Sequence, residues 1–567
     1  MNLATPQGFR DVLADEAVAR EVITRAVADL FAAHGYSPIE TPTLEALDVM
    51  ARGVRVPTSP FKLFDATGEL LAMRPDVTLQ VARMDATRFP DDSGPRRLRY
   101  TQRVFRASAG AMQAAARELT QIGVECIGDE GPEADAEVVG LLAEALQVAG
   151  VDDCCLALAT VGVLRALLEG CGAAESWKDQ VLAAYHGSDY VELDRLCSFE
   201  AAGGALEGDC LPDFAQAIAQ LPRVRGGREA IEEARALVAP LGCDGALDGF
   251  AAAYDRLAEG GCPARLLVDF SAMSSFDYYT GIVFAAYAPG CGEALGSGGR
   301  YDGLIGAYGA DRPAAGFAFC LERAMGAAGA APQPDRPLRI AVPKGSLNAD
   351  SIANLAACGL DVAGLEAPGR QLIIRNPGVE YVIVRPSDAP TFVALGAADC
   401  GICGKDSLVE AGAEVVEVVD LKFGACTFVV AEPEGAAEAI ARKAAALGTL
   451  RVATKYPRIT AAYYARRGQQ VDIVTLHGNI ELAPLTAMAE RIVDITATGT
   501  TLRENRLAIV DEVMGSTARF FANPCAFRTD GRVAALARLL ADHARTCTYD
   551  PIAGEPAAAP AAVPPSA

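Results

Sequence analysis

Positive charge is scarce in this chain. Fifty Lys and Arg stand against 73 Asp and Glu, a formal net charge of −23 over 567 residues, with only four His to modulate it near neutral pH. Neutralising a nucleic-acid backbone takes clustered cations, so this balance argues against a general nucleic-acid binder. Local basic pockets for small phosphorylated substrates remain compatible with it. Apolar runs near 18 residues are also missing, so no membrane span is expected. Residues 1–16 have neither a basic start nor an apolar stretch; no secretory signal is expected, and a cytoplasmic location is. The 16 cysteines fall below the density of a disulfide scaffold and lie mostly in apolar segments such as Asp153-Cys154-Cys155-Leu156. Reduced, buried thiols are the expectation. The Cys400–Cys403 pair has no second pair or neighbouring His to complete a tetrahedral site, and no metal ligands are assigned.

What is present is a globular mix, 51 % hydrophobic and 22 % charged, long enough for roughly three or four domains. Two low-complexity stretches divide it. Residues 326–337 read as an Ala/Gly/Pro linker and 549–567 as a disordered Pro/Ala tail. Residues 1–325 open with a helix on which Val18, Val22, Ile23, Ala26, Val27, Leu30 and Phe31 recur, stopped by Gly35. Strands are predicted over 97–105, 121–127 and 278–287. The Ala/Leu/Glu-rich stretch of about 133–265 reads as a helical insertion in an antiparallel sheet. Residues 338–548 have another rhythm. Continuous apolar runs at 338–342, 381–384, 427–430, 451–453, 471–474 and 491–495 alternate with helices, the pattern of parallel strands buried on both faces. Ligands of such folds sit beyond the carboxyl ends of the strands.

The loops in those places carry the chemistry. The segment Asp494 to Leu502 ends a strand in an acid and then offers Thr498, Gly499, Thr500 and Thr501, whose amides and hydroxyls can surround a phosphate. Lys344 and Gly345 follow a strand directly. Val384-Arg385-Pro386, the glycine-rich run from Gly396 through Asp399 to Asp406, Thr454-Lys455-Tyr456 and the run from His477 to Glu481 repeat the arrangement. Singly, each is compatible with plain turn chemistry; together they point to a shared site.

In sequence and order these motifs resemble the catalytic subunit of ATP phosphoribosyltransferase over residues 338 to about 547. The resemblance implies two α/β lobes like those of periplasmic binding proteins, with substrates in the cleft. It implies Mg2+-dependent attack of ATP N1 on the anomeric carbon of 5-phosphoribosyl diphosphate, the first step of histidine biosynthesis. Asp494, Thr498, Gly499, Thr500 and Thr501 would then hold phosphoribosyl diphosphate. Lys344, Arg370, Arg385 and Lys455 would stabilise phosphate or leaving-group charge, and Gly345, Asp399, Asp406 and Glu481 would hold ATP. Ser346 and His477 depart from the family, which often carries Arg and Asn there. After about Leu540 the chain runs into the tail, without the histidine-sensing domain of the long form; it resembles the short form, which depends on a separate regulatory protein.

Residues 1–325 resemble the core of histidyl-tRNA synthetase, which implies a class II aminoacyl-tRNA-synthetase-like antiparallel α+β fold. Gly35 to Pro42 resembles the dimer-forming motif one. Arg74 to Thr78, Val104 to Arg106, Gln121 to Glu125 and Phe276 to Gly281 resemble its histidine pocket. The implied histidine ligands are Asp76, Thr78, Arg106, Gln121, Glu125, Tyr278 and Tyr279: Asp76 and Glu125 accept from the cationic groups, and Arg106 holds the carboxylate. Ser108 and Ser274 stand where an aminoacylating enzyme carries Glu and Arg, and no anticodon-binding domain follows. The expectation is a fusion of regulatory and catalytic subunits. ATP and phosphoribosyl diphosphate would be substrates and L-histidine the inhibitor, with no tRNA partner and at least a homodimer through the first unit. Competing readings are an active histidyl-tRNA synthetase with an appended domain, and a solute-binding sensor on the second fold.

Overall fold

The computed structural model describes residues 3–52, 60–92, 94–107, 116–198, 210–272, 278–329, 336–496 and 499–547. Among these, the strands form sheets of nine, six, five and three.

The first unit opens with the helix Ala14–Ala33, and Gly35, at φ 83°, turns the chain out of it. Val27 and Phe31 enter the core, whereas Val18 and Val22 remain 60 % and 62 % exposed, so the apolar stripe is shared between core and solvent. The nine-stranded sheet pairs Arg96–Phe105 with Glu118–Ile127 antiparallel and continues through Ala314–Cys320, Gly296–Arg300 and Ile282–Tyr287. One expectation is corrected here: the strand predicted from 278 begins at Ile282. The 133–265 stretch is mostly helical, as its pattern predicts, with a strand inside it. Within it, Cys155–Thr160 is a strand with all six residues buried, antiparallel to Ile282–Tyr287 and parallel to Arg265–Asp269. A fully buried strand has no alternating polar face, so its short apolar run merges with adjoining helical sequence. Gly326 and Ala327 belong to the helix Leu321–Ala327, and Gly329 N donates to Gly150 O at 3.2 Å, so the expected linker begins packed on the first unit. Residues 330–335 and the tail lie outside the described residues.

In the second unit all six expected apolar runs are strands. The six-stranded sheet runs Ile373–Asn376, Val379–Val384, Leu338–Pro343, Cys400–Gly404, Ala518–Ala522, Val416–Asp420; the five-stranded sheet runs Val471–Thr475, Leu450–Thr454, Arg491–Thr496, Cys426–Pro433, Leu507–Ser516. Both are mixed, which corrects the all-parallel expectation. Ala518–Ala522 is antiparallel to both of its neighbours, and Cys426–Pro433 is antiparallel to both of its own. These strands flank the two places where the chain crosses between sheets, after Asp420 and at Ser516–Ala518. The remaining parallel strands bring Lys344, Arg385 and Lys405-Asp406 to one edge of the first sheet. Lys455 and the Asp494 loop reach the matching edge of the second.

The two units are packed together. Cys525, in the helix Pro524–Thr529, shares an apolar cluster with Cys155, Ala157, Leu267 and Tyr287 of the first unit. Arg225 donates to Phe527 O at 2.8 Å and Arg265 to Arg528 O at 3.3 Å, satisfying carbonyls at the end of that short helix. In the same interface the Arg528 guanidinium lies 3.1 Å from the Asp269 carboxylate. Conversely, Tyr190 of the first unit is built into the core of the six-stranded sheet. All 16 cysteines are free thiols, and Cys400 and Cys403 fall into separate apolar clusters. Among the described residues no helix is long and apolar enough to cross a membrane.

Candidate functional site

The second unit's candidate site residues come from strand ends of both of its sheets. Asp494, near the end of its strand, has its carboxyl pushed up to about 6. Burial is the main cause; the Ile495 N–H opposes it, Glu481 adds repulsion and Lys455 offsets part of it. Asp494, Glu481 and Lys455 thus share one electrostatic environment. Asp406 reaches the same place from the other lobe: burial raises the Tyr456 phenol, and the fields of Asp406 and Asp494 raise it further. Asp406 Oδ1 accepts from Ser516 Oγ at 2.8 Å, and Asp406 N donates back to that hydroxyl at 3.1 Å.

Gly499 sits at φ 68°, a conformation a Cβ disfavours, and opens the short helix Thr500–Glu504 with its N–H donating to Thr496 Oγ1 at 2.8 Å. Thr500 and Thr501 occupy the first turn of that helix, while Thr498 lies outside the described residues. Lys344 and Arg385 are exposed at neighbouring strand ends, tied by Lys344 N donating to Val384 O at 2.8 Å. Gly345, at φ 86°, makes the turn after Lys344. Arg370 is exposed in the turn before the edge strand Ile373–Asn376, which starts beside the carboxyl end of Val379–Val384, Ile383 N donating to Leu372 O at 2.8 Å.

Asp399 is placed differently from expectation. It precedes the strand Cys400–Gly404, at the end opposite Asp406, and its oxygens are taken by Arg336 at 2.6 Å and Arg339 N at 2.8 Å. A carboxylate so occupied, at the amino end of its strand, holds the sheet together. Sequence reasoning assigned no role to Tyr456, although it lies in the Thr454-Lys455-Tyr456 motif, and passed over Ser516, which ends the strand Leu507–Ser516 without a motif signal.

The first unit encloses a second site, a cavity of about 440 Å³ lined by Asp76, Thr78, Arg106, Gln121, Tyr278 and Tyr279, together with Tyr301 and Arg323. Six of the seven expected residues therefore converge. Asp76 Oδ1 accepts from Thr78 N at 2.7 Å, and Arg106 Nε donates to Pro75 O at 3.3 Å. The Tyr278 and Tyr279 rings stand 4.7 Å apart, and Tyr278 meets Tyr301 edge-on at 5.8 Å. Buried Gln121 Oε1 has no hydrogen-bond partner among the described residues, an acceptor that calls for a donor.

Glu125 differs from expectation: it stands behind the wall. Thr78 Oγ1 donates to it at 2.8 Å and Tyr100 at 3.2 Å, and Tyr301 donates to its other oxygen. Burial pushes its carboxyl up to about 8 despite those donors. A methyl group on Gly316 would overlap Glu125, so this strand position requires glycine for close approach. Glu414 of the second unit also lines this cavity. Ser108 and Ser274 lie outside the described residues.

The family model for histidyl-tRNA synthetase matches residues 8–324, and that for ATP phosphoribosyltransferase matches 385–542. An ATP phosphoribosyltransferase of Rubrobacter xylanophilus is 50 % identical over 193 residues, 34 % of this chain and 89 % of that protein. An ATP phosphoribosyltransferase regulatory subunit of Chromohalobacter salexigens is 36 % identical over 359 residues, 62 % of this chain and 88 % of the relative. Among solved structures, an ATP phosphoribosyltransferase regulatory subunit/histidyl-tRNA synthetase from Bacillus halodurans matches with a TM-score of 0.52 and 29 % identity, covering 67 % of this chain and 98 % of the other. The chain belongs to the histidyl-tRNA synthetase family through its first unit and to the ATP phosphoribosyltransferase family through its second, regulatory-subunit-like and catalytic parts in one polypeptide.

Proposed function

We propose that the second unit transfers the phosphoribosyl group of 5-phosphoribosyl diphosphate to N1 of ATP, and that histidine in the first unit inhibits it. The C1–O bond to diphosphate breaks as the N1–C1 bond forms. ATP N1 is already a neutral nucleophile, so no general base is assigned. The work left to the protein is alignment and stabilisation of charge developing on diphosphate. Asp494 takes the ribose hydroxyls, and Thr498, Gly499, Thr500 and Thr501 take the 5-phosphate. Lys344, Arg385 and Lys455 meet the departing diphosphate, with Arg370, whose turn lies at the same sheet edge as Arg385, completing the cationic set. Gly345, Asp406 and Glu481 face ATP. Asp399 is left out because its oxygens are occupied.

The observation that carries this reading is that parallel strands bring Lys344, Arg385 and Asp406 to one edge of the first sheet, and Lys455 and Asp494 to the carboxyl ends of the second. Mg2+ suits these oxygen donors. Among the described residues no group of three His, Cys, Asp or Glu forms a metal cage, and Mg2+ commonly arrives on substrate phosphates with one or two protein carboxylates. Asp494 and Glu481 would hold it, and it would neutralise diphosphate charge. Incubation with both substrates and Mg2+ should yield phosphoribosyl-ATP and diphosphate; no product under those conditions overturns the reading.

In the first unit, Arg106 receives the histidine carboxylate, Asp76 the ammonium group, and Gln121 Oε1 an imidazole N–H. Gln121→Ala should weaken histidine binding at least tenfold by calorimetry, because the buried imidazole N–H loses its acceptor, and raise the inhibitory concentration in step. Unchanged affinity would remove Gln121 from the pocket. The chain's net charge of −23 supports leaving tRNA off the partner list. Exposed Val18 and Val22, on the helix before motif one, support self-association as at least a dimer. The free, mostly buried thiols support a cytoplasmic location.

A further inference from the structure

The helix Lys405–Ala411 is held by both lobes of the second unit and by the first unit. At its first residue, Lys405 Nζ lies 2.6 Å from Asp189 Oδ2 and 2.6 Å from Glu417 Oε2. At its second, Asp406 exchanges hydrogen bonds with Ser516, where the chain crosses between the sheets. Near its end, the Glu410 carboxylate accepts from Arg458 N at 3.1 Å and Ile459 N at 3.0 Å. Those amides open the helix Pro457–Arg466, two residues beyond Lys455.

Asp189 is the first unit's contribution, and its position is tightly determined. It lies between the helices Glu175–His186 and Tyr190–Leu196. Ser188 takes the left-handed conformation, φ 50°, uncommon outside glycine, and its carbonyl accepts from Glu417 N at 3.0 Å. Asp189 Oδ1 caps the second helix through Glu192 N at 2.9 Å, which leaves Oδ2 for Lys405. Beyond Lys405, Glu417 pairs with Arg519 at 2.8 Å, and Arg519 with Asp420 at 2.5 Å. Alternating charges thus run from the first unit through the helix Lys405–Ala411 to both interlobe crossings. None of these side chains is more than 21 % exposed, so water screens them weakly.

We propose that Asp189 is a positioning residue for phosphoribosyl transfer: through Lys405 it fixes the helix Lys405–Ala411, and so the placement of Asp406 and Lys455 across the cleft. This rests on the transferase reading of the cleft. In the full chain, Asp189→Asn keeps an acceptor for the helix cap, since Asn and Asp cap alike, and removes the charge facing Lys405. The expected result is a fall in kcat of about tenfold, within the range of residues that couple sites, with both KM values within about twofold and histidine affinity retained. Lys405→Met should show a comparable fall, and the double variant should be no worse than either single one. A wild-type kcat in Asp189→Asn, or additive losses in the double variant, overturns the proposal. Loss of histidine affinity in Asp189→Asn also overturns it, because the defect is then general to the first unit. Absence of product from the unmodified chain would instead count against the transferase reading.

Discussion

Asp494→Ala is expected to lower kcat/KM for phosphoribosyl diphosphate by about 10²- to 10³-fold, with the unfolding transition within about 1 kcal/mol of the parent. The carboxylate is half-buried at a strand end, with a raised pKa, beside a second acid and one lysine. A structural role would have given it a lasting cationic partner, as Asp399 has in Arg336. Asp494 has the field of Lys455 and the Ile495 N–H, which compensate its burial only in part, the condition of a group awaiting polar ligand atoms. The same fact fixes a pH dependence. With its pKa near 6 in the ligand-free protein, Asp494 is charged above that value and protonated below it. Because kcat/KM reports ionisations of the free enzyme, it should fall as pH drops through about 6, and this limb should vanish from the residual activity of Asp494→Asn. A loss under threefold in Asp494→Ala would take the residue out of the site.

Arg528→Met is expected to destabilise the whole chain by about 3–5 kcal/mol, measured by chemical denaturation. Asp269 is fully buried and Arg528 nearly so, with their charged groups 3.1 Å apart at the junction of the units. Removing the guanidinium leaves the carboxylate with the Ser271 N–H and hydroxyl, too little to hold a charge away from water. Adding Asp269→Asn should recover most of the loss, because the double variant has no buried charge to compensate. A cost below 1 kcal/mol in the single variant would show that water reaches this junction in solution.

Much of this was legible in the sequence because strand ends carry it. The apolar runs before Lys344, Arg385, Lys455 and Asp494 predicted the strands and so placed the candidate loops at their ends. The same reading failed where a contact joins distant segments. Asp189 and Lys405 are 216 residues apart, and neither neighbourhood hints at the other. Asp399 was misjudged because a motif does not say which end of a strand its members occupy. Glu125 was expected among the histidine ligands but stands behind the cavity wall, because the hydroxyls of Tyr100 and Tyr301 that occupy it come from two other strands' surroundings. The strands Leu507–Ser516 and Ala518–Ala522 were missed: the first is only partly buried, and the second returns the chain to a sheet begun long before.

Ser188 carries one more consequence. Its carbonyl meets the strand Val416–Asp420, the outermost of its six-stranded sheet. An uncovered outer strand presents unpaired amides on which another chain can register. In the intact polypeptide the first unit occupies part of that margin. Expressed alone, residues 338–548 would offer it to copies of themselves, and their failure would take the form of association into larger assemblies.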